Sequence, residues 1–191
     1  MQPQDVLTFW YDSTPAQPSQ AAQMAWWKKS DAFDARIRER FSQTWEQARA
    51  GELEHWNQTP EGRLALIIVL DQFSRNLNRG DPKSWTQDPM ALAQTMAALD
   101  AGEDKLLPMH GRLFLYMPLE HAEDVASQER SLACFKAMNA EFGGQEHLVD
   151  YAEQHADIVR RFGRFPHRNA VIGRESTPEE LVFLQGPNSS F

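Results

Sequence analysis

The residues able to do chemistry in this chain are arginines, histidines and a few carboxylates set among apolar side chains. The stretch from His155 to Arg174, HADIVRRFGRFPHRNAVIGR, carries Arg160, Arg161, Arg164, Arg168, Arg174, His167 and Asn169, with no carboxylate between Asp157 and Glu175. Phe162, Phe165, Val171 and Ile172 are threaded between the charges, and a solvated charge run lacks such anchors. The segment should therefore pack onto the body, with its guanidinium groups facing carboxylates, a bound anion, or both. Guanidinium forks and loop amides suit phosphate and carboxylate, and Gly163 and Gly173 permit close approach of the backbone.

A second group follows the apolar run LALIIVL, Leu64 to Leu70. Asp71 and Arg75 are four apart and can pair on one helix face, while Gln72, Asn76 and Arg79 form an adjacent polar row. A carboxylate that extends a core stripe is either paired or in a cleft. The third group is PLEHAEDVASQE. Read as one helix, it puts His121, Asp124 and Gln128 on a shared face with Glu120 beside them, an arrangement open to acid–base work. It matches no metal-binding helix motif, and no metal or cofactor is expected. His155 sits at helical spacing with Ile158, Val159 and Phe162; a histidine on such a stripe is more often a hydrogen-bonded core residue than a ligand contact. Nucleotide-cradling glycine motifs are absent, and Cys134 and the serines lack partners at nucleophile spacing.

Composition bounds the classes. The chain has 191 residues, enough for one domain with a sizeable core, placed here at 1–185 with a frayed tail at 186–191. A net charge of −8 and a pI of about 5.2 argue against nucleic acid and anionic membranes as partners. Fourteen of the 19 basic residues are arginine, the better residue for planar, partly buried pairing. A single cysteine excludes an internal disulfide, the N-terminal stretch has no signal-type run, and no apolar run is long enough to span a bilayer. A soluble, cytoplasmic protein is expected.

The elements that must position these groups are helical throughout. Phe33, Ile37, Phe41, Trp45 and Ala48 fall three or four apart behind Ser30 or Asp31 as cap, with Gly51 as the stop. Thr59-Pro60 and Asp88-Pro89 each read as a cap followed by proline at the first helical position. Pro108 opens a short helix through Tyr116, Pro118 restarts the chain into a long helix to Phe142, and another runs from about Glu146 to Phe162. Thr177-Pro178-Glu179-Glu180 is a capping box for a last short helix. No segment alternates with a period of two, so the fold class is all-α, with eight or nine helices in irregular antiparallel hairpins.

The stretches LDQFSRNLNRG, FLYMPLEHAEDVASQE and RFGRFPHRNAVIGRESTPEELVFL, with the opening FWY, WWKKSDAFDARIRERF and GELEHW, resemble the signature segments of the domain-of-unknown-function family numbered nine-two-four. The likeness covers all but the last six or so residues. It implies a helical fold similar to the tetratricopeptide-repeat superfamily and brings no activity with it. The family's motif positions fall here on Asp71, Gln72, Arg75, Asn76, Arg79, Glu120, His121, Glu123, Gln128, His155, Arg161, Arg164, His167, Arg168, Asn169 and Arg174.

Four readings follow. In the leading one, Arg75, Arg79, Arg164, Arg168 and Arg174 hold a small anionic ligand in a polar cleft formed by the central helix, the long helix and the Arg-rich loop, with Asp71, Glu120 and His121 orienting them or handling protons. In the second, the same groups form an enzyme site for a phosphoryl or carboxyl substrate, with His121 or His167 as general acid/base. A third, from fold analogy alone, is a scaffold holding a protein or peptide partner in a helical groove. The fourth is an Arg–carboxylate network that only specifies packing.

Overall fold

The computed structural model describes residues 1–190; Phe191, at the end of the expected tail, lies outside the described residues. No strand occurs among them, only an isolated bridge between Thr14 and Gln17. The helices are α1 (Pro3–Tyr11), α2 (Gln20–Trp26), α3 (Asp31–Arg49), α4 (Pro60–Ile68), α5 (Ser74–Leu77), α6 (Asp88–Ala101), α7 (Met109–Glu120), α8 (Val125–Phe142), α9 (Glu146–Phe162), α10 (Asn169–Ile172) and α11 (Pro178–Phe183). A π turn, Val69–Phe73, joins α4 to α5, so the described residues form ten helical rods where eight or nine were expected. The extra one is α10, a single turn inside the segment read as an Arg-rich loop.

Two compact units divide the chain. The first holds residues 1–79 and 83–118, the second residues 80–82 and the chain from Leu119 onward. In the first, every residue from Leu64 to Leu70 is buried, as its all-round apolar sequence requires. Around it lie Val6, Leu7 and Trp10 of α1 and Ile37, Phe41 and Trp45 of α3, with Phe9, Phe41 and Phe73 in ring contact at 4.9 to 6.2 Å. Thr59 caps α4 by accepting from the Gly62 amide, and Pro60 fills the first helical position. This turn is closely packed. A Cβ on Gly62 would stand 2.2 Å from the Trp56 carbonyl oxygen and 2.9 Å from Thr59 Oγ1. Gly62→Ala, which would stabilise an open helix by up to about 1 kcal/mol, is therefore expected to destabilise this one by about 1–3 kcal/mol. Urea denaturation followed by tryptophan fluorescence reads this directly, because all six tryptophans lie in the first unit.

In the second unit α8 and α9 pack along each other, joined by a short turn through Gly143 and Gly144, both at positive φ. The buried face of α9 is Leu148, Ala152, His155, Ala156, Ile158 and Val159, and α8 answers with Leu132, Phe135 and Met138. Phe165 is fully buried against Ile158 and Val159, with Phe162 and Phe183 alongside.

One expected element is not there. The chain does not run as a long helix from Pro118 to Phe142. Pro118 lies inside α7, where its missing N–H removes the bond to the Phe114 carbonyl without ending the helix. The break falls at 121–124, where Asp124 is extended (φ −144°, ψ 144°) and accepts from the Ser127 amide at 2.8 Å, capping α8. The expected His121–Asp124–Gln128 face therefore does not form.

Candidate functional site

In the first unit the polar residues after LALIIVL sit where the helix changes its hydrogen-bond spacing. Asp71 and Gln72 belong to the π turn, a feature that inserts one residue into a helix and often marks functional positions. Asp71 is 0% exposed. Arg75 Nη1 lies 3.1 Å from Asp71 Oδ1 and donates to the Asp71 carbonyl at 2.9 Å, while Nη1 and Nη2 each reach one Asp88 oxygen at 3.0 Å. Asp88 was expected to cap α6; its carboxylate instead forks onto Arg75, and the cap position, Gln87, makes no side-chain cap bond. Burial works against the Arg75 charge, and Asp71 and Asp88 outweigh it, so the guanidinium titrates above its usual range. Gln72 Nε2 donates to Asp71 Oδ2 at 2.7 Å.

Asn76 and Arg79 converge on a residue the sequence reading passed over, Asp34. Asn76 Nδ2 donates to Asp34 Oδ1 at 2.7 Å, and Arg79 donates through Nε and Nη2 at 2.5 and 3.0 Å. Burial raises the Asp34 pKa, but Arg79 and Asn76 more than reverse it, leaving it below the usual carboxylate range. The signal was available: Asp34 falls in the buried stripe of α3 with Ile37 and Phe41, the criterion that had singled out Asp71.

In the second unit most of the arginines are engaged with carboxylates. Arg161 meets Glu179 at 2.9 Å on the surface. Arg164 forks onto the buried Glu180 at 2.6 and 2.8 Å. Arg164 is the main reason that the Glu180 carboxyl falls to about 2; burial opposes it, and the Thr177 amide and Asn169 add to it. Arg174 forks onto Glu123 at 2.5 and 2.8 Å and donates through Nε to Asn169 Oδ1 at 2.9 Å, while Glu123 also accepts from the Phe165 amide at 2.8 Å. These contacts fold the segment back on itself and fix Phe165.

Around Phe165 a different group assembles. The His155 ring lies 5.7 Å from Phe165, the His167 ring 5.7 Å from Phe165, and the His121 ring 6.4 Å from His155. The Arg168 guanidinium sits over the Phe165 ring at 4.6 Å and donates to the His121 carbonyl at 3.0 Å. Gln128 Nε2 reaches the carbonyls of Glu120 and Ala122, both at 2.7 Å. Side chains from α8 and from the Arg-rich segment thus hold the end of α7, which ends at the buried Glu120, and place His121 at the break. His155 Nδ1 lies 2.8 Å from the Tyr151 carbonyl. A carbonyl only accepts, so Nδ1 carries the proton and Nε2 is left as an acceptor. Burial pushes the His155 pKa down to about 3; the Tyr151 carbonyl opposes this, and the positive charges of His121, Arg168 and His167 add to the fall. Among the described residues no group of three or more His, Cys, Asp or Glu side chains could hold a metal ion, and no helix is long and apolar enough to cross a membrane.

The model of a bacterial protein family of unknown function, DUF924, matches residues 6–188. The chain belongs to this family. A solved structure of a protein of unknown function from Agrobacterium tumefaciens is similar to it at 38% identity, over 96% of this chain and 97% of that one, with a TM-score of 0.84. No curated protein gives a significant match.

In this DUF924 chain His155 makes the stability of the second unit pH-dependent with a definite sign. An unfolded histidine titrates near 6.5, whereas folded His155 stays neutral down to about 3. Unfolding therefore takes up a proton within that window, and the stabilisation, whole above about pH 6.5, is lost as the pH falls through it. The expected loss is about 2 kcal/mol between pH 6.5 and pH 5. Glu123 and Glu180, whose pKa values are depressed, lose theirs only below about pH 4.3. Hydrogen exchange of the α9 amides measures the slope, and His155→Asn should flatten it. An unchanged slope in that variant would assign the effect elsewhere.

Proposed function

We propose that the protein binds a small molecule bearing an oxyanion, phosphate or carboxylate, at the imidazole–arginine cluster of its second unit. The observation that carries this is the convergence of His121, His155, His167 and Arg168 about the Phe165 ring, with positive charge acting on the buried His155 from all three of the others. Positive potential held in a desolvated place favours an anion strongly. Arg161, Arg164 and Arg174 serve the site indirectly, by holding the segment through Glu179, Glu180 and Glu123. Arg168, whose guanidinium lies over the Phe165 ring, is the arginine placed to meet the ligand, with His121 and His167 beside it.

The clustering of three imidazoles suits a ligand that also carries a hydroxyl proton, as hydrogen phosphate and hydroxy acids do, because a neutral imidazole offers both a donor and an acceptor. It also keeps open the enzyme reading, in which His121 or His167 moves the proton and Arg168 stabilises the developing charge. His155, with a pKa of about 3, is too weak a base for that task and acts by position.

A thermal-shift screen against phosphate, phosphomonoesters, small carboxylates and hydroxy acids tests the proposal. A ligand at about a hundred times its Kd adds roughly 2.7 kcal/mol, which in a chain of this size is roughly 5–10 °C. Such a shift is expected from at least one oxyanion class. No shift from any of them at millimolar concentration would refute it.

A further inference from the structure

The first unit contains a concavity of about 260 Å³ lined by Lys29, Asp31, Asp34, Arg38, Asn76 and Arg79, with Leu77 as its apolar wall. It shares no residue with the cluster around Phe165. Its charges are three cations against two carboxylates, a net of +1. The balance of unengaged groups is more one-sided. Both oxygens of Asp34 are occupied, Oδ1 by Asn76 Nδ2 and Arg79 Nη2 and Oδ2 by Arg79 Nε. Arg79 keeps Nη1 for another acceptor. Arg38 is tied only through Nη2, to the Leu77 carbonyl at 3.2 Å, which leaves its Nε and Nη1. Lys29 makes no ion pair with a described residue, and of the two lining carboxylates Asp34 is paired with Arg79 while Asp31 makes no ion pair with a described residue.

We infer that this concavity is a second oxyanion site, taking the phosphate or carboxylate group of a small metabolite between Arg38 and Arg79 with Lys29 at the rim. Both guanidiniums are held before any ligand arrives, Arg79 by the buried Asp34 and Arg38 by the last carbonyl of α5. The rotamer entropy that binding would otherwise cost is therefore largely lost already at Arg79, and in part at Arg38. Guanidinium edges fixed on one concavity are the geometry that planar oxyanions recognise. A volume of 260 Å³ is just under the range of about 300–1,000 Å³ typical of drug-sized ligands. That suits a molecule of metabolite size rather than a peptide or a nucleotide. Leu77 offers a short apolar contact for its carbon skeleton.

The test is a titration with inorganic phosphate, and separately with acetate, followed through the side-chain Nε–H signals of Arg38 and Arg79. Saturable shifts of both signals are expected with at least one of the two, and the one that acts assigns the class. Arg38→Gln removes an exposed side chain with a single backbone acceptor, so the fold should persist, and affinity read at Arg79 should fall about tenfold or more. Lys29→Gln should give a smaller loss. Arg168→Gln should leave the affinity at this site unchanged. Arginine signals that stay still with both anions, or an Arg38→Gln variant that binds as tightly as the native chain, would overturn the inference. Silence at Arg38 and Arg79 with movement at His121 and His167 would remove this site alone; the converse would remove the other.

Discussion

Replacing Arg75 by methionine is expected to cost about 3–5 kcal/mol of stability, the largest effect of any single substitution considered. The reason is what remains behind. Asp71 is fully buried in the π turn, and Asp88 faces the same guanidinium. Without Arg75 two carboxylates would stand together with their shared cation removed, and one of them could not reach water. The remedy open to the chain is to protonate Asp71, so the variant should recover part of its stability as the pH falls through the carboxylate range. Asp71→Asn should cost less than Arg75→Met, since Asp88 still neutralises the guanidinium. Urea denaturation of the variants, read by tryptophan fluorescence, measures all three statements. Equal costs, or a cost below 1 kcal/mol for Arg75→Met, would mean that the pair is solvated and merely decorates the helix.

Arg168→Gln is expected to weaken oxyanion binding in the second unit by 10- to 100-fold, a loss of about 1.5–3 kcal/mol for a charge-assisted hydrogen bond, with a smaller effect on folding. Glutamine keeps a donor for the His121 carbonyl at the end of α7, while the charge over Phe165 is lost. Arg164→Gln should show the opposite balance. Its partner Glu180 is buried and also holds the Thr177 amide, so the variant should loosen α11 and affect binding mainly through that. Calorimetric titration of both variants with phosphate or another hit of the thermal screen separates the two behaviours. Parallel losses of binding and stability in Arg168→Gln would place Arg168 with the packing arginines.

The contrast between those arginines shows what local reasoning reaches. The caps at Thr59 and Thr177, the cap of α3 narrowed to Ser30 or Asp31, and the stop at Gly51 were legible because each depends on a few neighbouring residues. The all-α class followed from periodicity for the same reason. Asp88 and Asp124 were misassigned because a carboxylate before or within a first turn has two uses, cap or ion pair, and the choice depends on a distant partner. For Asp88 that partner is Arg75. For Asp124 the break that makes it a cap is held by Gln128 and by Arg168, which lies 47 positions beyond His121. The π turn at Val69–Phe73 carries no composition of its own that would mark it in the sequence. The candidate residues legible in the sequence were those whose polarity violates an apolar stripe, a rule that Asp34 in α3 also obeys. Which arginines were engaged with carboxylates was not legible, because Glu123, Glu179 and Glu180 meet them only after folding.

The long-range ¹H–¹⁵N spectrum of the histidine rings, titrated with phosphate, tests the central claim most directly. The chain has six histidines. Binding at the Phe165 cluster predicts saturable shifts for His121, His155 and His167, displaced to 10- to 100-fold higher phosphate in Arg168→Gln, while His55, His110 and His147 stay still. Six unmoved rings, or six that drift together without saturation, would contradict the account and leave the arginines and histidines of the second unit as a packing network.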